Sequence, residues 1–447
     1  MKLAHRRGVF YLSTLIFIVV GVYLTLIVQG FIFDFKTFQI IKTGSIFLDF
    51  QPTNNVTLFV NGDKRKIQTS FLNEGALIKN LIPGTYHILL SRSGFQNWEK
   101  VLKVTSGLAT PRTSIRLFSK EPPYKKLAEH IFSFSQIGDG FVEQSASGTV
   151  VYGKNVFKNT YINLINGTLI IASSIKSWVS ADLNNTSSTI NISNIFNTLK
   201  KSFDPPVTAQ ISNVLFHPFS PGKFLISTKS AIYVLDPKRP SLDRLFVSSS
   251  TPITDFKTDN SEIIVNLKNK VAIINLILQT TNTYNISSES VNNLKSTSDG
   301  NKILFTNDNG YLFLYDKTTK LVRAFGSKPE EFYFSPEERR VVEIVGNKIV
   351  ITYLEKWSGD IRKKPFEKTV VSLPENKNKY SSFTWLDGKY FLILQGNDLL
   401  VSEIDEETPI NTSVLARDIQ SFKVKDNNTI FTLTSQNELR EIDLSVK

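Results

Sequence analysis

The residues after 120 repeat one short pattern, and that repeat limits what the chain can fold into more than any other feature. Each copy has an apolar start, a polar turn carrying Asp, Gly or Pro, and an apolar strand; the clearest copies start at Phe216, Leu294 and Phe383. Weaker copies start at Phe256, Phe332 and Phe422, so successive starts lie 40, 38, 38, 51 and 39 residues apart. A second strand in several copies ends in Asp, as in Tyr233-Val234-Leu235-Asp236, Phe313-Leu314-Tyr315-Asp316, Glu403-Ile404-Asp405 and Glu441-Ile442-Asp443. A period near 40 residues is that of one four-stranded blade. A lone four-stranded sheet cannot bury both faces, whereas sheets stacked around an axis bury one another and leave only short edges. Residues 119–447 are therefore predicted to form a β-propeller, and ~42 residues per blade gives seven or eight blades. Too few residues follow Phe422 for four strands, so the last blade is predicted to borrow a strand from residues 112–130. The segment 155–210 fits the repeat poorly, and helical spacing there is faint, over Ser193 to Lys201.

The opposite end is of another kind. Gly8 to Phe33 is a run of 26 residues with no charged side chain, preceded by Lys2, Arg6 and Arg7 and followed by Asp34. As a helix it is ~39 Å long, and a bilayer's hydrocarbon core is ~30 Å thick. The run is predicted to be a transmembrane helix over 8–33. The basic tip, residues 1–7, stays in the cytoplasm by the positive-inside rule, and everything after Asp34 lies outside. Tyr11, Tyr23, Phe31 and Phe33 are candidates for interfacial or lipid contact. The rival reading is a cleaved signal peptide. Against it stand the length of the run and the lack of an A-x-A site, for which Val28-Gln29-Gly30 is a poor substitute.

Between these ends, residues 34–43 read as a short, stiff, aromatic stalk. From residue 44 the pattern alternates. Ile46 to Phe50, Val56 to Val60, Tyr86 to Leu90 and Trp98 to Val104 read as strands. Asn61-Gly62 is the hairpin signal, because both residues tolerate positive φ. Pro83-Gly84 reads as a tight turn with glycine in the left-handed position. The expected product, over residues 44–118, is a small antiparallel β-sandwich. Trp98, Phe95 and Tyr86 are expected to plug its core.

Asn61-Gly62, Leu81-Ile82-Pro83-Gly84-Thr85-Tyr86, Gly94-Phe95-Gln96-Asn97-Trp98, Val101 and Val104 together resemble a PEGA domain. The eponymous Glu and Ala are absent, since the turn reads Pro83-Gly84-Thr85. The repeats that follow resemble a TolB/WD-type propeller. Anchor, stalk, PEGA-like domain and propeller together resemble an arrangement of bacterial surface proteins. What the resemblance implies is a non-catalytic envelope module.

Few chemistries fit the residues. Zero cysteines exclude disulfides, thiolate metal sites and a Cys nucleophile; with the anchor they suggest a bacterial or archaeal surface protein. His5, His87, His130 and His217 share no metal-binding spacing. There is no G-x-S-x-G elbow and no glycine-rich phosphate loop. Asp299-Gly300 and Asp387-Gly388 recur at matching repeat positions and read as turns. Asn307-Asp308-Asn309-Gly310 clusters calcium-type ligands but lacks the bidentate Glu of an EF-hand. The net charge of +12 is not gathered into a cluster of Lys and Arg interleaved with aromatics, so nucleic acid is not expected as a partner. No catalytic, cofactor or metal residue is assigned. The expected function is non-catalytic: a membrane-held propeller presenting a surface to an envelope protein or a wall or surface polymer. The alternative is a propeller enzyme, a carboxylate-based lyase or hydrolase working at the central channel on envelope glycans or peptides.

Overall fold

The computed structural model describes residues 3–445 apart from 35–37, 68–74, 138–139, 146–147, 153–154, 158–160, 167–168, 174–176, 204–206, 249–250, 260–261, 268–269, 286–291, 359–361, 374–379 and 406. Helix α1 spans Leu3–Val28, and its stretch Val9–Val28, of mean hydropathy 2.4, is not buried among the described residues. The helix stops before the predicted Phe33. Gly30 takes φ +81 and its N–H reaches the Ile27 carbonyl at 2.9 Å, the left-handed helix end that glycine permits. β1 (Phe31–Asp34) begins at once and pairs antiparallel with β2 (Gln39–Lys42), so the predicted stalk is largely a hairpin. Its base is tied shut, because the Thr43 N–H and the Thr43 hydroxyl both donate to the Gly30 carbonyl, each at 2.7 Å.

Seven strands follow: β3 (Gly44–Gln51), β4 (Thr57–Val60), β5 (Asp63–Arg65), β6 (Gly75–Leu81), β7 (Gly84–Ser91), β8 (Trp98–Val104) and β9 (Ala109–Arg116). They form two sheets of order β6-β3-β9 and β5-β4-β7-β8. Alternation sends Ile46, Leu48 and Phe50 from one sheet and Trp98, Leu102 and Val104 from the other into a shared core. Asn61 and Gly62 both adopt positive φ and turn β4 into β5. Two expectations need correction. The sandwich is not wholly antiparallel, because β9 runs parallel to β3. The chain reaches β9 by crossing from the other sheet, which is how parallel neighbours must be joined. Gly84 opens β7 as a strand residue, and the left-handed position falls instead on Asn80, at φ 57.

Beyond the sandwich, eight four-stranded antiparallel sheets are present among the described residues. They occupy residues 133–157, 161–191, 213–247, 253–285, 292–324, 331–372, 380–416 and 419–443, here blades 1 to 8. Blade 8 supplies three strands of its own, and β10 (Tyr124–Ala128) completes it by pairing antiparallel with Leu439–Asp443. That is the strand predicted to be borrowed from 112–130. Each blade's apolar residues interleave with the next blade's. Blades 7 and 8 share Leu392, Leu399, Phe422 and Ile430, and blades 8 and 1 share Phe134, Phe431 and Leu439. Since the last blade packs on the first, the ring is closed and the fold is a β-propeller. The repeat starts Phe216, Phe256, Leu294, Phe332, Phe383 and Phe422 are all buried. All six lie on the first strands of their blades, and the first strands of blades 3 and 4, 5 and 6, and 7 and 8 approach each other.

The irregular step of 51 residues has a cause. A hairpin, Trp357–Ser358 paired with Arg362–Lys363, is inserted between the third and fourth strands of blade 6. The poor fit near 155–210 has one too. Helix α2 (Ile192–Leu199) follows blade 2, capped by the Asn191 side chain, which accepts the Asn194 N–H at 2.9 Å. It lays Phe196 against Tyr233 of blade 3.

Candidate functional site

Two places gather polar side chains in unusual surroundings. The first is the junction between the sandwich and blade 7. In β8 the residues facing inward are Trp98, Lys100, Leu102 and Val104, so a lysine occupies the phase of the core. Its side chain is fully buried. The ammonium pairs with the Glu403 carboxylate and lies 3.4 Å from Asp405. It also donates to the carbonyls of Glu407 at 2.7 Å and Pro409 at 2.9 Å. Trp98 Nε1 donates to the other Glu403 oxygen at 3.0 Å. Asn411 donates its amide to Glu403 at 2.6 Å and to the Glu99 carbonyl at 3.1 Å, and accepts the Glu99 N–H at 3.0 Å. The Val101 N–H reaches the Thr408 carbonyl at 3.0 Å. The open edge of β8 is thus covered by a propeller loop, which removes an unpaired strand edge.

Next to this cluster Arg112 pairs with Glu407 and Lys389 donates to the Thr113 carbonyl. The Tyr390 hydroxyl accepts the Arg116 N–H at 2.9 Å. Burial, with Glu403 nearby, pushes the Tyr390 phenol above its ordinary range. Charges taken this far from water persist only when paired and hydrogen-bonded. The junction meets that condition, which makes it a structural lock.

The second place is the axis. The first strands of blades 4, 5 and 6 contribute to a cavity of about 510 Å³ lined by Asp255, Lys257, Lys295, Glu330, Glu331 and Tyr333, among others. Lys257 Nζ donates to the Leu294 carbonyl of the next blade at 2.6 Å. Lys295 Nζ donates to the Phe332 carbonyl of the blade after that at 2.7 Å. In both cases the acceptor is the buried residue that starts the following repeat. Lys295 also lies 3.7 Å above the Tyr333 ring, a favourable cation–π arrangement. Burial holds its ammonium below the usual lysine range, Glu331 opposing this and Lys257 reinforcing it. The Tyr333 hydroxyl donates to Glu331, and burial first, then that bond, raises its pKa. The wall offers both charge signs and an aromatic face. Such a surface suits recognition of a polar chain by several shared hydrogen bonds.

The residues singled out in the sequence behave as follows. Asp299 accepts the Thr297 hydroxyl and the Asn301 N–H. Asp387 accepts the N–H groups of Lys389 and Tyr390. Asp236 and Asp316 close turns in the same way. The recurring aspartates are therefore turn residues that the local backbone occupies. Asn307 to Gly310 is a turn as well, with the Gly310 N–H on the Asn307 carbonyl at 2.9 Å. His87 pairs with Glu99 at 2.5 Å. His217 accepts the Phe219 N–H and is held below the usual imidazole range by burial. Among the described residues no three His, Asp or Glu side chains gather as a metal site; the side chain of His5 lies outside the described residues. Trp98 packs in the core with Tyr86 and Phe95 against it, yet its indole N–H also serves the junction. The sequence assigns no site role to Lys100, to Glu403 or to the two channel lysines. Lys100 had a signal, since it shares the parity of Trp98 and Leu102. The lysines had one too, in the pairs Phe256-Lys257, Leu294-Lys295 and Phe422-Lys423.

No protein-family model matches the chain. No curated protein matches it in sequence. Among solved structures it is similar to BamB from Moraxella catarrhalis, at 10% identity over 73% of this chain and 98% of that one, with a TM-score of 0.46. It is similar also to the Cps50 (Swd1) β-propeller domain of Myceliophteria thermophila, at 11% identity over 72% of this chain and 100% of that one, TM-score 0.37. A third is Hsv2 of Kluyveromyces lactis, at 9% identity over 65% and 100%, TM-score 0.43.

Proposed function

We propose that the chain is a membrane-anchored, non-catalytic envelope protein, in which a PEGA-like sandwich holds a propeller out from the bilayer and the propeller binds a protein or a surface polymer. Helix α1 is the anchor, with Lys2, Arg6 and Arg7 on the cytoplasmic side. The observation that carries this reading is the junction. A spacer that merely linked two modules would be flexible and polar, whereas here Lys100, Glu403, Asp405 and Trp98 are buried together. A presented surface with a set orientation is what such a lock supplies. The channel cavity is the surface best equipped for a partner.

Two experiments test this. Extraction of membranes at alkaline pH should leave the full-length protein in the pellet; release into the supernatant would remove the anchor. A photo-crosslinking residue in place of Asn293, which lines the channel cavity, should trap one discrete envelope component in cells. The same residue in place of Val247, exposed on blade 3, should not. Equal adducts at both positions would refute a channel partner. A second reading, hydrolysis or elimination at the channel, is favoured by Asp255, Glu330 and Glu331 lining one cavity. It requires a cleavage of glycan or peptide by the purified protein that Glu331→Gln or Asp255→Asn abolishes.

A further inference from the structure

The base of the sandwich carries an apolar, basic surface that the fold itself does not use. Gly30, two residues beyond the end of α1, is bonded to Thr43, one residue before β3. The chain therefore leaves the helix and enters the sandwich at one point. Two other pieces meet there. Gly44 pairs with Leu81, and Gly84 pairs with Val104, so the turns at 82–83 and 105–108 lie at the same end. The Ser106 hydroxyl donates to the Lys42 carbonyl at 3.1 Å, and the Gly107 N–H to the Thr43 carbonyl at 2.9 Å. Gly107 takes φ +70 with the Lys42 side chain lying against the space a Cβ would fill, so the turn is fitted closely to the hairpin base.

At this end large apolar side chains point outward. Phe38 is 78% exposed, Leu108 60%, Ile40 57%, Phe33 40% and Ile82 39%. They come from the β1–β2 hairpin and both turns. Lys42, Lys79 and Lys103, all exposed, belong to the same strand ends. Residues 35–48, 75–98 and 100–120 contain no Asp or Glu, and Asp34 is the one acid in the hairpin. An apolar patch with a cationic rim suits the boundary between acyl chains and anionic headgroups.

We infer that the hairpin, the 82–83 turn and the 105–108 turn form a foot that sits in the lipid headgroup layer beside α1 and fixes the tilt of the sandwich. The inference rests on the anchor reading of α1. The occupant is lipid because the patch begins at Phe33, five residues after the end of an apolar helix of spanning length, and a bilayer that holds the helix must meet the patch.

The chain has no cysteine, so single nitroxide labels can be placed on the full-length protein in phosphatidylcholine/phosphatidylglycerol vesicles. Labels at Val20→Cys, Leu108→Cys, Ile82→Cys and Val247→Cys are compared for collision with oxygen, which concentrates in lipid, and with a water-soluble nickel chelate. Val20 should be lipid-exposed and Val247 water-exposed. Leu108 and Ile82 should fall between them, with nickel collisions several-fold below those at Val247 and oxygen collisions above. Vesicles of phosphatidylcholine alone should bring Leu108 and Ile82 closer to Val247. Four results overturn the foot. Leu108 and Ile82 matching Val247 while Val20 stays deep removes the foot and keeps the anchor. Low collision with both reagents at the turns means protein contact in place of lipid. Turn labels unchanged by removing phosphatidylglycerol remove the cationic rim from the account. A label at Val20 without lipid contact removes anchor and foot together.

Discussion

The junction and the channel both place lysines against main-chain carbonyls, and they do it in opposite surroundings. Lys100 has no exposure and meets two carboxylates, Glu403 and Asp405, along with the carbonyls of Glu407 and Pro409. Lys257 and Lys295 each reach one carbonyl across a blade boundary and border an open cavity. Lys100 has traded water for a complete set of protein partners, so it cannot change partner without breaking the fold. The channel lysines keep part of their hydration and retain donors to offer. The same residue type is a rivet in one place and a contact in the other, and how completely it is withdrawn from water decides which.

That contrast can be broken most forcefully at Lys100. Lys100→Met strands the buried Glu403 carboxylate, and removing one member of a buried pair costs about 3–5 kcal/mol. Urea titration of the variant should show the loss, and Lys100→Met combined with Glu403→Leu should recover much of it. No recovery would mean that the junction depends on packing more than on charge. Trp98→Phe keeps the ring in the core and deletes the indole donor to Glu403; a buried acceptor left without its partner costs about 1–3 kcal/mol, measured the same way.

Lys295→Met should be milder and should depend on pH. Burial lowers the Lys295 pKa in the folded state, so between that value and the ordinary 10.5 the unfolded chain binds more protons than the folded one. Lys295 therefore makes wild-type stability rise with pH in that window. Urea midpoints followed upward in pH to 10.5 should climb less in Lys295→Met. The smallest effect is expected at Asp236. Backbone N–H groups of Arg239 and Lys238, the former contributing more, hold its carboxyl below the usual 3.8. Its contribution is present above 3.8 and fades as pH falls through the lower folded value. Asp236→Asn should unfold slightly earlier than wild type near neutral pH and indistinguishably in strong acid.

The ring was legible because its repeat lies on a single strand position. Phe216, Phe256, Leu294, Phe332, Phe383 and Phe422 are each the buried residue on the first strand, and the same packing demand recurs in every blade. Closure by β10 followed from counting strands after Phe422. The inserted hairpin of blade 6 was visible only as a step of 51, since Trp357 and Arg362–Lys363 resemble an ordinary polar turn. The junction was hidden for a different reason. Trp98 and Glu403 are 305 residues apart, and Glu403-Ile404-Asp405 looked like another strand ending in Asp. Nothing local separates an aspartate that closes its own turn, such as Asp316, from one that receives a lysine from another domain. The parity of Lys100 within β8 was the available hint. The parallel course of β9 could not be read at all, because pairing direction depends on how the chain travels between sheets and not on side-chain alternation.

The closing strand has a consequence for the making of the protein. Lys126 in β10 finds Glu438, the residue just before its partner strand and 312 residues later in the chain. During synthesis β10 emerges before any blade and must wait until all the others have been made. Its sequence, Tyr124-Lys125-Lys126-Leu127-Ala128, carries two lysines. Lysines on a waiting edge discourage pairing with a neighbouring chain, while contacts so distant in sequence form slowly. The lysine that pairs with Glu438 in the finished ring is thus also suited to keep the unpaired segment apart until the last blade arrives.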